Sequence, residues 1–163
     1  MIDFRNTHRR MFTPTGLLKM KLICYAEDKT VAGDRLLKMI DGQVSTQVVE
    51  TYRSLADFRQ GLLQQPQKPD AAVLMATNVN ELKRIITLEK LLTDTRILLI
   101  LPDRNKETVS AGHRLRPRYL SYADSDFADV VAVVKQILKL FPAGDNKKGG
   151  IYGYDLKAVA HED

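Results

Sequence analysis

The sequence predicts a three-layer α/β domain, in which five parallel strands alternate with five helices. Hydrophobic segments of strand length and amphipathic segments of helix length alternate five times between about residues 20 and 141. Several of the strand segments are apolar throughout, which is typical of parallel strands covered on both faces. Strands that alternate with helices favour right-handed crossovers, so the pattern indicates a doubly wound sheet.

The strands are predicted from apolar or β-branched runs of suitable length. In chain order they are KLICYA (21–26), QVSTQVVET (43–51), AAVLMA (71–76), RILLIL (96–101) and RYLSYA (118–123).

The helices are predicted from apolar residues that recur on one face with helical spacing. They cover residues 30–40, 54–65, 78–94, 106–115 and 125–141. Gly42 and Pro142 predict the ends of the first and last helices, and Pro66 and Pro69 break the chain after the second helix. Pro102 instead follows the fourth strand, RILLIL, and ends it.

Three of the helices begin at residues that are suited to capping. Ser54 with Asp57, and Asn78 with Glu81, have the spacing of a capping box or a close variant of it. Asn105 precedes the fourth helix and is its predicted N-cap.

The length of 163 residues suits one domain. We predict one doubly wound domain over residues 20–141, a disordered or non-native leader over residues 1–19, and a flexible tail over residues 142–163. Met20 immediately precedes the first strand and is a candidate for the true start. The tail is rich in glycine and charge, although IYGYDL within it could dock on a neighbouring surface.

The composition favours a cytoplasmic protein that spans no membrane. No apolar run approaches the roughly 20 residues that a transmembrane helix needs, and arginines interrupt the N-terminus where a secretory signal would be apolar. Three of the five net positive charges lie before Met20, which weakens an interpretation based on nucleic acid. Cys24 lies in an apolar run and is predicted to be buried and unreactive.

From Met20 to Phe141 the chain resembles the receiver domain of bacterial response regulators, the chemotaxis-receiver type of flavodoxin-like fold. The segments that carry the resemblance are KLICYAED, VVETYRSLADFRQGLLQQPQKPDAAVLM and AGHRLRPRYLSY. The resemblance implies (βα)5 topology with strand order 2-1-3-4-5 and a role in two-component signal transduction. In such receivers an aspartate accepts a phosphoryl group, helped by acidic ligands of Mg²⁺, a hydroxyl and a lysine.

The resemblance places most of these roles on unsuitable residues. The corresponding positions form a predicted degenerate phosphorylation pocket: Ala26, Glu27, Asp28, Met75, Leu101 and Tyr122. Met75 falls at the phospho-acceptor, and a thioether neither accepts a phosphoryl group in this way nor binds Mg²⁺ well. Leu101, or Pro102 after a slip of one residue, replaces the hydroxyl, and Tyr122 replaces the lysine. We expect no catalytic residue, no cofactor and no metal.

Two alternatives for this region stay open. Glu27 and Asp28 could hold a cation, or they could simply offset the dipole of the following helix. Thr77 or Asp103, beyond the ends of strands, could replace the missing acceptor. We predict that Met75, Leu101 and Tyr122 converge above the strand ends and fill the former pocket with apolar side chains.

The remaining functional feature is a surface for a protein partner. In receivers, the face formed by the fourth helix, fifth strand and fifth helix docks partners, and the matching segment here is HRLRPRYLSY. The predicted partner-binding residues are His113, Arg114, Arg116, Arg118, Tyr119 and Tyr122. Arginine and tyrosine are enriched at interface hot spots, although the tyrosines could instead belong to the core.

The sequence therefore predicts a stand-alone pseudo-receiver that interacts with proteins independently of phosphorylation. Its partner would be a sensor kinase, another regulator or a second copy in a homodimer. The alternative is a domain that binds a small molecule or cofactor in the crevice at the strand ends. We expect no enzyme, because no nucleophile elbow or Ser–His–Asp pattern is present. No helix-turn-helix follows the domain, so we expect no nucleic acid as partner.

Overall fold

The computed structural model describes residues 11–12, 18–44 and 49–139. Upstream of the main domain, Met11–Phe12 pairs with Leu18–Lys19 as a short antiparallel ladder. Both strands fall within the predicted leader, residues 1–19. The predicted tail, residues 142–163, lies outside the described residues.

Five strands form one parallel sheet. We number them β1 to β5 in chain order: Leu22–Tyr25, Val49–Tyr52, Ala71–Met75, Arg96–Leu101 and Tyr119–Tyr122. Across the sheet the order is β2-β1-β3-β4-β5, and every neighbouring pair is parallel. This arrangement confirms the predicted fold class and strand order.

Helices alternate with these strands in the described part of the chain. They are α1 Val31–Gln43, α2 Leu55–Gln64, α3 Val79–Ile86, α4 Lys106–Gly112 and α5 Ala128–Lys139. A 3₁₀ turn at Glu89–Leu92 follows α3, and another at His113–Leu115 follows α4. The predicted alternation of strand and helix is therefore confirmed.

The boundary between the first helix and the second strand differs from the prediction. Helix α1 continues through Gly42 to Gln43, and the Val44 N–H donates to the Ile40 carbonyl at 2.8 Å. Gln43 therefore belongs to a helix rather than to the β-branched strand predicted for residues 43–51. Residues 45–48 lie outside the described part, and β2 begins at Val49.

The predicted helix over residues 78–94 is shorter in the structure, because α3 stops at Ile86. The Thr87 hydroxyl donates to the Arg84 carbonyl at 2.6 Å, and the Thr87 N–H is shared between the Lys83 and Arg84 carbonyls. A threonine hydroxyl that competes for backbone carbonyls favours the end of a helix. The chain then tightens into the 3₁₀ turn at Glu89–Leu92.

The helix starts follow the predicted caps in two of three cases. Ser54 Oγ accepts the Asp57 N–H at 3.1 Å, and Asn78 Oδ1 accepts the Glu81 N–H at 2.8 Å. Asn105 occupies the N-cap position of α4, but its side chain makes no capping hydrogen bond.

Two hydrophobic clusters cover the two faces of the sheet. One lies under α1 and α5 and includes Leu36, Met75 and Phe127. The other lies under α2, α3 and α4 and includes Phe58 and Leu82. Because side chains alternate between faces along a strand, each buried strand contributes to both clusters. The molecule is thus a three-layer sandwich whose loops after the strands meet at one edge of the sheet.

Two helical glycines offer a matched test of helix packing. A Cβ at Gly42 would meet no atom within 4 Å, so we expect Gly42→Ala to stabilise the domain by about 0.5 kcal/mol through helix propensity. A Cβ at Gly61 would lie 2.3 Å from Tyr52 Oη. We therefore expect Gly61→Ala to destabilise the domain by about 1–3 kcal/mol.

Thermal unfolding of both variants measures this difference. Gly42→Ala should melt above the unsubstituted protein and Gly61→Ala below it. The opposite order would contradict the packing of Tyr52, whose ring meets that of Phe58 edge-on with centroids 5.6 Å apart.

Candidate functional site

The residues predicted to form the degenerate pocket do not come together. Ala26 and Met75 are fully buried in the cluster under α1 and α5. Leu101 and Tyr122 belong to the cluster on the opposite face of the sheet. The prediction that Met75, Leu101 and Tyr122 converge above the strand ends is therefore wrong.

The alternation of side chains along parallel strands explains this separation. Met75 pairs in register with Ile100, whereas Leu101 pairs with Tyr122 one position further on. A shift of one residue along a strand moves a side chain to the other face. Met75 is fully buried, as expected, but it packs in the core on one face of the sheet rather than with Leu101 and Tyr122 above the strand ends.

At the end of β1 the structure instead contains a buried carboxylate, Glu81, whose side chain is 3% exposed. Glu81 Oε1 accepts both the N–H and the hydroxyl of Thr77, each at 2.7 Å. Its other oxygen accepts a short hydrogen bond from the hydroxyl of Tyr25. The buried acid is therefore well provided with donors, and it links the end of β1 to the first turn of α3.

Glu27 lies beside this buried acid on the solvent side. The negative charge of Glu81, followed by partial burial and a hydrogen bond to Glu81, raises the pKa of the Glu27 carboxyl. The charge of Arg84 and the hydroxyl of Thr77 act in the opposite direction. On the buried side, desolvation and Glu81 raise the pKa of Tyr25, which keeps its hydroxyl protonated as a donor.

Glu81 is part of the strand-end site, which the sequence pattern does not reveal. The pattern predicts Glu81 only as a member of a capping box with Asn78, and the Asn78 half of that box is present. In such a box the acid reaches back to a backbone N–H, but here it reaches one residue further, to Thr77. The sequence feature that could point to a buried acceptor such as Glu81 is Tyr25, because a tyrosine within an apolar buried strand needs a partner for its hydroxyl.

A second feature of the strand ends is the guanidinium of Arg53, just beyond β2. It donates to the carbonyls of Ala26 at 2.9 Å and Glu27 at 3.2 Å, and to Asp34 Oδ1 at 2.6 Å. Asp28 Oδ1 lies 3.8 Å away. A positive side chain therefore organises the loop between β1 and α1, where acidic residues were predicted to bind a cation or offset a helix dipole.

A third feature ties together the loops after β4 and β5. Nη1 of Arg104 donates to both carboxylate oxygens of Asp124, at 3.1 and 2.8 Å, and the guanidinium carbon lies 4.2 Å from the centre of the Tyr122 ring. The hydrogen bond from Arg104 lowers the pKa of Asp124. Tyr122, predicted at the lysine position, thus packs against a neighbouring cation.

The two residues considered as replacement acceptors have local structural roles. The Thr77 hydroxyl donates to Glu81, and Asp103 Oδ1 accepts the N–H of Asn105 at 2.8 Å. Cys24 is fully buried, and burial raises the pKa of its thiol to about 12. This confirms the prediction that Cys24 is a buried thiol in the core, and such a thiol is a poor nucleophile.

Only some of the residues predicted to bind a partner are exposed. His113, Arg114, Arg116 and Arg118 are all exposed. Tyr119, however, is 8% exposed, and its hydroxyl donates to Asp129 Oδ2 at 2.9 Å. Tyr119 therefore belongs to the core, because alternate residues of β5 point inward, and the surface that remains is cationic rather than aromatic.

Solved structures with the same architecture belong to response regulators. The signal receiver domain of NarL from Mycobacterium tuberculosis superposes with a TM-score of 0.55 at 16% identity, over 74% of this chain and 98% of that one. DrrB, an OmpR/PhoB homologue from Thermotoga maritima, gives 0.55 at 16% identity, over 77% of this chain and 56% of DrrB. The chain has the receiver fold.

A further solved structure with this fold contains a phosphorylated aspartic acid. A response regulator of Burkholderia pseudomallei with a phosphorylated aspartic acid gives a TM-score of 0.52 at 14% identity, over 88% of this chain and 75% of that one. Identities of this size support the fold alone. No family model and no curated protein matches the sequence.

No group of three or more His, Cys, Asp and Glu side chains within the described part is arranged to hold a metal ion. No helix found there has the length and apolar character needed to cross a bilayer.

The proximity of the Glu27 and Glu81 carboxyls leads to a prediction about how the stability of the domain depends on pH. Because folding raises the pKa of Glu27, the folded state binds its proton more tightly, and stability is lost as pH rises from about 4.3 through the raised pKa. We expect Glu27→Gln to melt about 1–3 °C higher than the unsubstituted protein at pH 7, a small gain because the side chain is exposed.

Thermal melts at several pH values measure this effect. The gain should disappear below about pH 3, where Glu27 is protonated in both the folded and the unfolded state and residue 27 is neutral in both proteins. A gain that is equal at all pH values would contradict the repulsion from Glu81, and Asp57→Asn in the first turn of α2 serves as a surface-charge control.

Proposed function

We propose that this chain is a pseudo-receiver: a protein-interaction module of signal transduction that works without phosphorylation. The observation that carries the proposal is the position of Met75. It occupies the end of β3, where the family resemblance places the acceptor, and it is fully buried among apolar side chains. A neutral thioether in a packed core offers no nucleophile to a phosphodonor.

The surroundings of the strand ends support the same proposal. Receiver chemistry needs a cluster of free acidic oxygens for Mg²⁺. Here the buried acid Glu81 accepts hydrogen bonds from Tyr25 and Thr77, and the guanidinium of Arg53 lies against the loop after β1. These groups stabilise one arrangement of the loops internally, which suits a module with a constant binding surface.

Intact-mass spectrometry tests the absence of phosphorylation. The full chain is incubated with Mg²⁺ and acetyl phosphate, beside a receiver that has its acceptor aspartate. We expect the control to gain the mass of one phosphoryl group and this chain to gain none. A gain by this chain would overturn the proposal.

The interaction surface is proposed to be the exposed cationic segment after α4. Its residues His113, Arg114, Arg116 and Arg118 lie on the α4 and β5 side, where receivers dock sensor kinases, other regulators or a second copy. Arg116 has a φ of 52°, so the backbone there adopts the left-handed conformation and turns the segment sharply. Exposed arginines on a turn can reach carboxylates of a partner.

Charge reversal tests this surface. Arg116→Glu combined with Arg118→Glu should abolish the recovery of partners from the native host, whereas Lys38→Glu on α1 should leave it unchanged. Both sites are exposed, so the fold should be retained in both variants. If the double reversal leaves the recovery of partners unchanged, the exposed cationic segment after α4 is not the interaction surface.

A further inference from the structure

A groove between α3 and α4 is distinct from the strand-end site and from most of the predicted partner surface. It has a volume of about 600 Å³ and runs beside the second half of α3 and the 3₁₀ turn that follows. It adjoins a smaller hollow of about 250 Å³, and Glu89, Lys90 and Arg114 line both. Together they form one channel along this side of the molecule.

One wall of the groove comes from the end of α3 and from the turn that follows it. Lys83 and Ile86, three positions apart, lie on one side of α3, and Thr87 and Lys90 continue this wall from the helix end and from the 3₁₀ turn. Ala111 and Arg114 form the opposite wall from α4 and its 3₁₀ turn.

The rim of the groove is cationic and its floor is apolar. Lys83 and Lys90 are exposed, and neither has a carboxylate within ion-pair distance among the described residues. Arg114 has one weak contact, at 3.7 Å from Glu89. Ile86 and Ala111 provide apolar surface between these charges. The basic residues of the adjoining hollow include Arg116 as well.

We propose that this groove docks an acidic amphipathic helix of a protein partner. Such a helix presents apolar side chains on one face and carboxylates beside them, which matches an apolar floor between basic rims. The inference rests on the proposed role as an interaction module and assigns the chemistry of its partner. Nucleic acid fits less well, because none of the described residues that line the groove is aromatic, so bases would find no ring to stack on.

Selection from a display library of random peptides of about 16 residues, enough for about four helical turns, tests the proposal with the full chain as target. We expect the enriched peptides to combine acidic residues with apolar residues at helical spacing. Lys83→Glu combined with Lys90→Glu should weaken their binding at least about tenfold, because like charges would then face each other. Lys38→Glu, on the opposite face of the sheet, is the matched control.

Three outcomes would overturn the groove as the docking site. The enriched peptides could lack acidic residues, or they could bind the Lys83→Glu, Lys90→Glu variant as tightly as the unsubstituted chain. Their binding could also be lost only in the variant with Arg116→Glu and Arg118→Glu. Competition by duplex DNA that depends on Lys83 and Lys90 would favour a polyanion instead. Failure of the two proposals is distinguishable, since a phosphoryl mass gain would reject the pseudo-receiver and leave peptide binding in the groove unaffected.

Discussion

Replacing Met75 with aspartate is expected to remove about 4 kcal/mol or more of folding stability at neutral pH, without creating a phospho-acceptor. Met75 is fully buried at the end of β3, in the cluster under α1 and α5. An aspartate there would lose apolar contacts and place a carboxylate among hydrocarbon side chains. Since a domain of this size is stabilised by about 5–15 kcal/mol, a large part of its stability would be lost.

Urea unfolding of Met75→Asp measures this loss, and Met75→Leu provides the control for packing alone. We expect Met75→Leu to cost less than about 1.5 kcal/mol, because the volumes are similar. The deficit of the aspartate variant should shrink towards about pH 4, where the carboxyl becomes neutral. A stable aspartate variant that gains a phosphoryl group would show that this position opens to solvent and that the assigned core packing is wrong.

Removing the buried acid is expected to have the second-largest effect. Glu81→Ala should destabilise the domain by about 3 kcal/mol, because the buried hydroxyl of Tyr25 and the N–H of Thr77 would lose their acceptor. The substitution also removes the side-chain link between the end of β1 and the start of α3. Relief of the repulsion on Glu27 offsets only a small part, since Glu27 is exposed.

Two further variants separate the hydrogen bonds from the charge. Glu81→Gln keeps an oxygen for Thr77 and an amide for Tyr25, so we expect it to cost about 1 kcal/mol. Tyr25→Phe removes one donor, and a double-mutant cycle with Glu81→Ala should give a coupling energy of about 1 kcal/mol or more. A cost below about 1 kcal/mol for Glu81→Ala would mean that water replaces the carboxylate and that the site is open.

The fold was predictable because its signals are strong and mutually consistent. AAVLMA is apolar throughout and RILLIL is apolar after Arg96, and in the structure they are adjacent inner strands covered on both faces. The weakest predictions concerned helix ends, where local hydrogen bonds decide. The Thr87 hydroxyl ends α3 well before the apolar pattern does, and Gly42 does not end α1.

The site was less predictable because its contacts join residues far apart in the chain. Tyr25 and Glu81 are separated by 56 positions, and nothing in the local pattern around either residue identifies the other. The position of Met75 was predicted through the family resemblance, but the face towards which it points depends on strand register. A register that differs by one residue would have brought Met75, Leu101 and Tyr122 to one side.

The guanidinium of Arg53 determines how the loop between β1 and α1 should respond to dissolved metal ions. A dissolved divalent ion leaves its ligands when its concentration falls or when a chelator removes it. Arg53 is part of the chain and donates hydrogen bonds to the Ala26 and Glu27 carbonyls, so neither dilution nor a chelator can remove it. The backbone between β1 and α1 should therefore give the same amide spectrum in magnesium and in EDTA.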